Sequence, residues 1–267
     1  MQWRQKSLPD PYNSRKLNFN MQYFKKKSPF IAACFLSVTL VLGTTSFTLA
    51  EETDSPDQQA LALQNTYSGM TSLTFTFDQI TRTGSRQRVG RGEAVFYRYQ
   101  EPREEGEESI PATQSVMRWH YTEPDTQLII SDGETLSIYT EKDKQLIRTP
   151  AKELESDITY AFFAGTRNLL DDFTVQSGNA DYLFSSGEEL EVLLLVTRQP
   201  HNQIRDVQVW FDAELLIHHL VIRDHFDSVT ELNFSSLQVD SLAPGDRQEL
   251  DRITTFPIPP GTEIISR

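Results

Sequence analysis

The chain predicts an α+β fold that is mainly antiparallel β. The expected form is a strongly curved, incomplete β-barrel of about eleven strands, with helices covering an apolar cavity. Three observations carry this. From Leu73 onward, short apolar runs recur, most of them bounded by Gly, Asn, Asp or Pro. Helical spacing occurs in only two places. The strand-like runs are rich in aromatic residues, and a sheet that curls around helices without closing leaves an apolar concavity.

Taken in order, Asp57 to Met70 carries helix formers, with Ala60, Leu61, Leu63 and Tyr67 near helical spacing between Pro56 and Gly69. Leu73, Phe75 and Phe77 then alternate with Thr74, Thr76 and Asp78, which predicts a strand with one apolar face. Gly84-Ser85 is a turn. The next strand, Gly92 to Tyr99, is apolar on both sides, as expected where core lies on one face and a second apolar surface on the other. Residues 100–113 form an acidic loop insert containing Pro, Gly and Ser.

Val116 to Tyr139 is the most informative stretch. Trp119 and Tyr121 alternate with Arg118 and His120, and Glu123-Pro124-Asp125 breaks the run. Leu128-Ile129-Ile130 leads to Ser131-Asp132-Gly133, a hairpin-type turn, and Leu136, Ile138 and Tyr139 follow. After Gln145–Thr149, Pro150 introduces the second helical region, Ala151 to Asp172. Its apolar stripe is Ile158, Ala161, Phe162, Leu169 and Leu170, and Gly165 divides it. Six strands complete the chain: Phe173–Gln176, Tyr182–Phe184, Leu190–Thr197, Ile204–Phe211, Leu216–Arg223 and Val229–Val239.

The N-terminal segment sets the compartment. Lys25-Lys26-Lys27, the apolar run Ser28–Phe47 and Thr48-Leu49-Ala50 before Glu51-Glu52 fit a secretory signal peptide over residues 21–50, cleaved after Ala50. A retained signal anchor is the alternative, but the run is rich in Thr and Ser. Residues 1–20 are polar and foreign to such a signal, so Met21 is the expected start and 1–20 a mis-assigned extension. The single cysteine, Cys34, lies inside the apolar run. Its neighbours Ile31-Ala32-Ala33 superficially fit a lipoprotein cleavage box, yet the chain stays apolar beyond it. The expected mature protein, 51–267 as one domain, therefore has no disulfide and depends on its core. From Glu51 it carries 18 basic and 37 acidic residues, a net −19. That charge argues against nucleic acid and anionic membrane surfaces as partners.

Catalytic chemistry is hard to assemble. The histidines are His120, His201, His218, His219 and His225, with no nucleophile-elbow motif. Adjacent His218 and His219 point to opposite faces of a strand, which discourages a shared metal. Asp171-Asp172 and Glu188-Glu189 read as solvated surface, and Gly90-Arg91-Gly92 lacks the context of a phosphate loop. No catalysis, metal or cofactor is expected. The aromatic residues are either an ordinary sandwich core or the wall of an acyl-chain cavity.

Arg118, Trp119, Tyr121, Pro124, Ser131, Asp132, Gly133, Leu136 and Tyr139 stand at the spacing of a known signature. The chain resembles the periplasmic outer-membrane lipoprotein carrier family there. Phe75, Phe77 and Gln79 look like its F-x-F-x-Q strand, Asp172–Val175 like the end of its lid region, and Phe256–Gly261 like its C-terminal segment. The resemblance implies a carrier that shields lipoprotein acyl chains. It would take them from an inner-membrane ABC transporter across the periplasm to an outer-membrane receptor lipoprotein, as a monomer. It further implies that Arg98 holds the helical lid, over a cavity lined by Phe75, Phe77, Phe96, Trp119, Tyr121, Tyr139, Ile158, Phe162 and Leu169. Tyr99 stands where the family has proline, and Ser137 replaces a frequent aromatic residue. A receptor or sensor of lipoproteins or envelope lipids is the second reading, and an envelope enzyme the third.

Overall fold

The first helix, α1 (Pro56–Gly69), begins with a reciprocal cap: the Ser55 hydroxyl accepts from the Gln58 amide, and the Gln58 side chain accepts from the Ser55 amide. The computed structural model that contains it describes residues 55–102, 113–156, 158–164, 168–178, 190–198 and 204–267. The predicted leader 1–50 with Cys34, most of the acidic insert, the strand at 182–184, Gly165, Glu188-Glu189 and His201 lie outside the described residues. Pro56 opens α1 because its missing N–H would have no partner in a first turn. Ala60, Leu63 and Tyr67 face inward and are buried.

Among the described residues, twelve strands form one sheet. In chain order they are β1 (Ser72–Thr83), β2 (Arg86–Gln100), β3 (Thr113–Glu123), β4 (Gln127–Ser131), β5 (Thr135–Thr140), β6 (Gln145–Pro150), β7 (Phe173–Ser177), β8 (Glu191–Thr197), β9 (Ile204–Phe211), β10 (Ile217–Asp224), β11 (Val229–Val239) and β12 (Glu263–Ser266). Across the sheet the order is β12-β6-β5-β4-β3-β2-β1-β11-β10-β9-β8-β7, so β12 and β7 are its edges and the sheet does not close. Every pairing is antiparallel except β12 on β6. The fold is thus a mainly antiparallel, incomplete barrel with a few helices. Six strand spacings separate β4 from β9, about 29 Å in a flat sheet. Yet Ile129 of β4 and Ile204 of β9 line one cavity, which requires the sheet to curl.

Strand parity distributes side chains between the two faces. On the concave face, Leu73, Phe75 and Phe77 of β1, Ala94 and Phe96 of β2, and Met117 and Trp119 of β3 join the main core beneath the helices. On the convex face, Tyr97, Tyr99 and Val116 form a second cluster with Leu250 and Ile253. These last two belong to α4 (Arg247–Thr254), a helix the sequence reading did not anticipate. Asp246 caps it, accepting from the amides of Gln248 and Glu249 at 2.9 and 3.3 Å. The expectation that β2 is apolar on both sides therefore has a cause: each face packs against different helices.

The helical region after Pro150 is built of three pieces. A 3₁₀ segment, Ala151–Ser156, precedes α2 (Ile158–Ala164) and the single turn α3 (Leu169–Asp172). Seven residues are too few to hold a helix in water without tertiary contacts, so α2 depends on what it packs against.

Candidate functional site

The concave face is filled at one end and hollow at the other. In the filled part, Phe75 is central: its ring lies 4.8 Å from Phe163 of α2, 5.0 Å from Phe234, 5.6 Å from Trp119 and 6.2 Å from Phe96. Phe162 and Leu169 are buried in the same cluster. Next to it the rings give way to a cavity of about 420 Å³, within the range of small-molecule sites, roughly 300–1,000 Å³. Met117, Trp119, Ile129, Leu154, Ile222 and Leu232 give it apolar walls, and Tyr160 of α2 also lines it. Its polar residues include Gln79, Tyr121, Asp224 and Thr230. At its edge stands Phe226, 79% exposed on the turn after β10. Asp224 fixes that turn by accepting from the amides of Phe226 and Ser228 at 2.8 and 2.7 Å.

The predicted lining residues separate into groups. Trp119 and Tyr121 line the cavity. Phe75, Phe77, Phe96, Phe162 and Leu169 lie in the packed core that borders it and are 1–6% exposed. Ile158 begins α2, but its side chain lies outside what is described. Tyr139 is a correction. It pairs with Leu128 and Leu146 in the sheet and clusters with them, Ile130 and Phe256, 5.5 Å from the Phe256 ring. Ile138 packs with the main core on the concave side, and the next residue on a strand must point the other way. The sequence also missed Ile129, Ile204, Ile222 and Leu232 as wall residues, because strand order brings these distant segments together. Their one signal was a place on predicted strands.

Arg98 continues the inward parity of Phe96 on β2. Its guanidinium donates to four main-chain carbonyls: Tyr67 at 3.0 Å, Ser68 at 2.6 Å, Met70, and Ala164 at 2.5 Å. The first three end α1 and the fourth is the last residue of α2, so one side chain ties together two helix C-termini. Unsatisfied carbonyls there carry partial negative charge, which a cation complements. Burial lowers the Arg98 pKa, an effect opposed by Asp240 and Tyr160. Asp240 accepts from the Thr71 amide and hydroxyl and from the Ser72 amide, at 2.6, 2.9 and 3.2 Å. Burial alone would raise its carboxyl pKa, but these hydrogen bonds and the Arg98 charge bring it below the ordinary value.

Tyr67 closes the α1 side of this junction. Its hydroxyl accepts from the Ile217 amide at 2.8 Å, and burial pushes the phenol pKa well above its ordinary value. The Trp119 indole N–H is buried in the cavity wall with no hydrogen-bond partner among the described residues.

The remaining histidine candidates are dispersed. His218 meets Asp212 at 2.6 Å, and the His219 ring lies 4.6 Å from Trp210. No group of three or more His, Cys, Asp or Glu among the described residues is arranged to hold a metal. Gly90 and Gly92 serve packing instead. A Cβ on Gly92 would fall 1.9 Å from the His120 carbonyl oxygen, and one on Gly90 would fall 3.1 Å from the Tyr121 ring.

Residues 115–245 match the family model for the outer membrane lipoprotein carrier protein LolA. An outer-membrane lipoprotein carrier protein of Nitrosomonas europaea is 26% identical over 151 residues, 55% of this chain and 66% of its own length. The chain thus spans just under two thirds of that relative. One from Chromohalobacter salexigens is 23% identical over 237 residues, 87% of this chain and 95% of its own. Among solved structures, a LolA superfamily protein from Nitrosomonas europaea aligns with a TM-score of 0.36 at 15% identity, over 74% of this chain and 97% of its own. By sequence, residues 115–245, just under half of the chain, are thus similar to the outer membrane lipoprotein carrier protein LolA family.

Proposed function

We propose that this protein binds the acyl chains of lipoproteins in the concave cavity and carries them, without making or breaking bonds. The observation that carries the reading is the hollow itself: about 420 Å³ with apolar walls, beneath a seven-residue helix tied at its C-terminus by Arg98. An ordinary sandwich core would fill that space, since interiors pack to crystal-like density. Burial stabilises bound cargo by about 0.8 kcal/mol per CH₂, so a carrier must also be able to let go. Closure of α2 over an empty cavity competes with cargo and keeps retention finite.

On this reading the leader 21–50 directs export and the mature chain, 51–267, works in the periplasm as a monomer. It loads at an inner-membrane ABC transporter and unloads to an outer-membrane receptor lipoprotein. Strong acidity suits such transfers, because it keeps the carrier off anionic lipid surfaces. Arg98 acts as the latch between the empty, closed form and the loaded one.

Native mass spectrometry of the protein isolated from periplasmic extract tests this. A co-purifying acylated polypeptide is expected, and an Ile129→Trp variant, which fills the cavity, is expected to lose it. Cargo retained at the wild-type level by the filled variant would overturn the assignment of the cavity.

A further inference from the structure

On its polar side the cavity has a neighbour. Gln79 and Tyr121 line the cavity, and the same two residues line a second concavity of about 750 Å³ on the outer reach of β1–β5. The two spaces therefore share one threshold. It is built to stay put: the Tyr121 hydroxyl donates to the Gln79 side-chain oxygen Oε1 at 2.8 Å, Gln79 Nε2 donates to the Thr81 hydroxyl at 3.2 Å, and the Thr81 and Thr230 hydroxyls meet at 3.1 Å. Glycine at 90 lets the Tyr121 ring lie against β2, since a Cβ there would sit 3.1 Å from the ring.

The two spaces differ in chemistry. Apolar walls dominate the inner one. The outer one is lined by Gln87, Arg88, Glu123, Asp125, Gln127 and Lys142, so amides and both charge signs are displayed along it. Lys142 and Asp125 are 3.3 Å apart, and Gln127 donates to Thr140 at 3.2 Å. Interleaved donors and acceptors of both signs match a peptide backbone and its polar side chains. They do not match a phosphate, which calls for converging cations without carboxylates. The threshold suits the junction between the two, because Gln79 has a second amide N–H to offer an ester or amide carbonyl.

We propose that the groove lined by Gln87, Arg88, Gln127 and Lys142 is a second subsite, which holds the extended polypeptide segment adjoining the acylated end of the cargo while the acyl chains occupy the cavity. This rests on the acyl-binding function proposed above. It makes the protein a reader of acylated polypeptides rather than of lipids in general.

The test uses three ligands on the full mature chain: a diacylated cysteine amide, the same group followed by five polar residues, and a free fatty acid. The five-residue tail is expected to tighten binding about tenfold. Gln127→Trp, which obstructs the groove, is expected to erase that gain while leaving the tailless amide and the fatty acid unchanged. Separately, a photoreactive residue placed at exposed Arg88 is expected to crosslink to the tail, and one at Ile129 to the acyl chain. Equal affinity for ligands with and without the tail, together with no crosslink from position 88, overturns the groove assignment. Failure of all three ligands to bind would instead count against the cavity.

Discussion

Two arginines on neighbouring strands do the same job on opposite faces of the sheet, with different consequences. Arg98 of β2 points inward and caps the C-termini of α1 and α2. Arg118 of β3 points outward and donates to the carbonyls of Arg252, Ile253 and Thr255 at 3.3, 3.4 and 3.0 Å, at the end of α4. Burial lowers the pKa of both. What differs is the space below the helix. Leu250 and Ile253 of α4 are buried against Tyr97, Tyr99 and Val116, whereas α2 helps to line a cavity of about 420 Å³. An arginine over a filled interface is a fixed clamp. The same device beside a hollow can be a latch, because α2 packs Phe163 into the core yet turns Tyr160 to a cavity that cargo can fill.

The largest effect should come from emptying the filled side. Ile253 is fully buried, so Ile253→Ala should cost about 2–5 kcal/mol of stability. Chemical denaturation would show it, with acyl-ligand affinity of the remaining folded protein unchanged. Loss of that affinity alongside stability would mean that the faces are coupled. Next, Arg118→Leu removes three hydrogen bonds from a charged donor and leaves the α4 carbonyls without them, for about 1–3 kcal/mol. The melting temperature should fall, again without a change in affinity.

Arg98→Leu should behave differently. It also lowers stability, yet it releases α2 from β2 and raises the fraction of molecules competent to load. Apparent affinity scales with that fraction, so binding should tighten about tenfold, roughly 1.4 kcal/mol, with slower release. The smallest effect concerns pH. Burial depresses the His219 pKa, so the unfolded chain binds a proton more readily than the fold does. Stability is then fully present above the ordinary value of about 6.5 and declines as pH falls below it toward the folded value. Denaturation midpoints measured between pH 7.5 and 5 should show this slope in the wild type, and His219→Gln should flatten it.

Much of this architecture was legible in the chain. The predicted limits of β9 and β11 coincide with the observed ones, because the spaced apolar residues of each ended at polar turn residues. Helix α1 was legible for a similar reason, with proline at one end and glycine at the other. By contrast, α4 offers just Leu250 and Ile253 to the core within RQELDRIT, and its one clear signal was the Asp246 cap. The β12–β6 pairing joins residues more than a hundred positions apart, beyond any local pattern. The site was harder to read than the fold. Parity alone could have moved Tyr139 to the convex side, but no local rule says that Ile129 and Ile204 meet across a curled sheet. Arg98 was picked out by family likeness and not by spacing, and its four carbonyl partners emerge only when two helix ends converge.

The most direct measurement is calorimetric titration of one diacylated lipopeptide into the wild type, Arg98→Leu and Arg118→Leu, all confirmed as folded. Binding about tenfold tighter is expected for Arg98→Leu, and wild-type affinity for Arg118→Leu. Weaker binding in Arg98→Leu, or equal shifts in both variants, would rule out the latch.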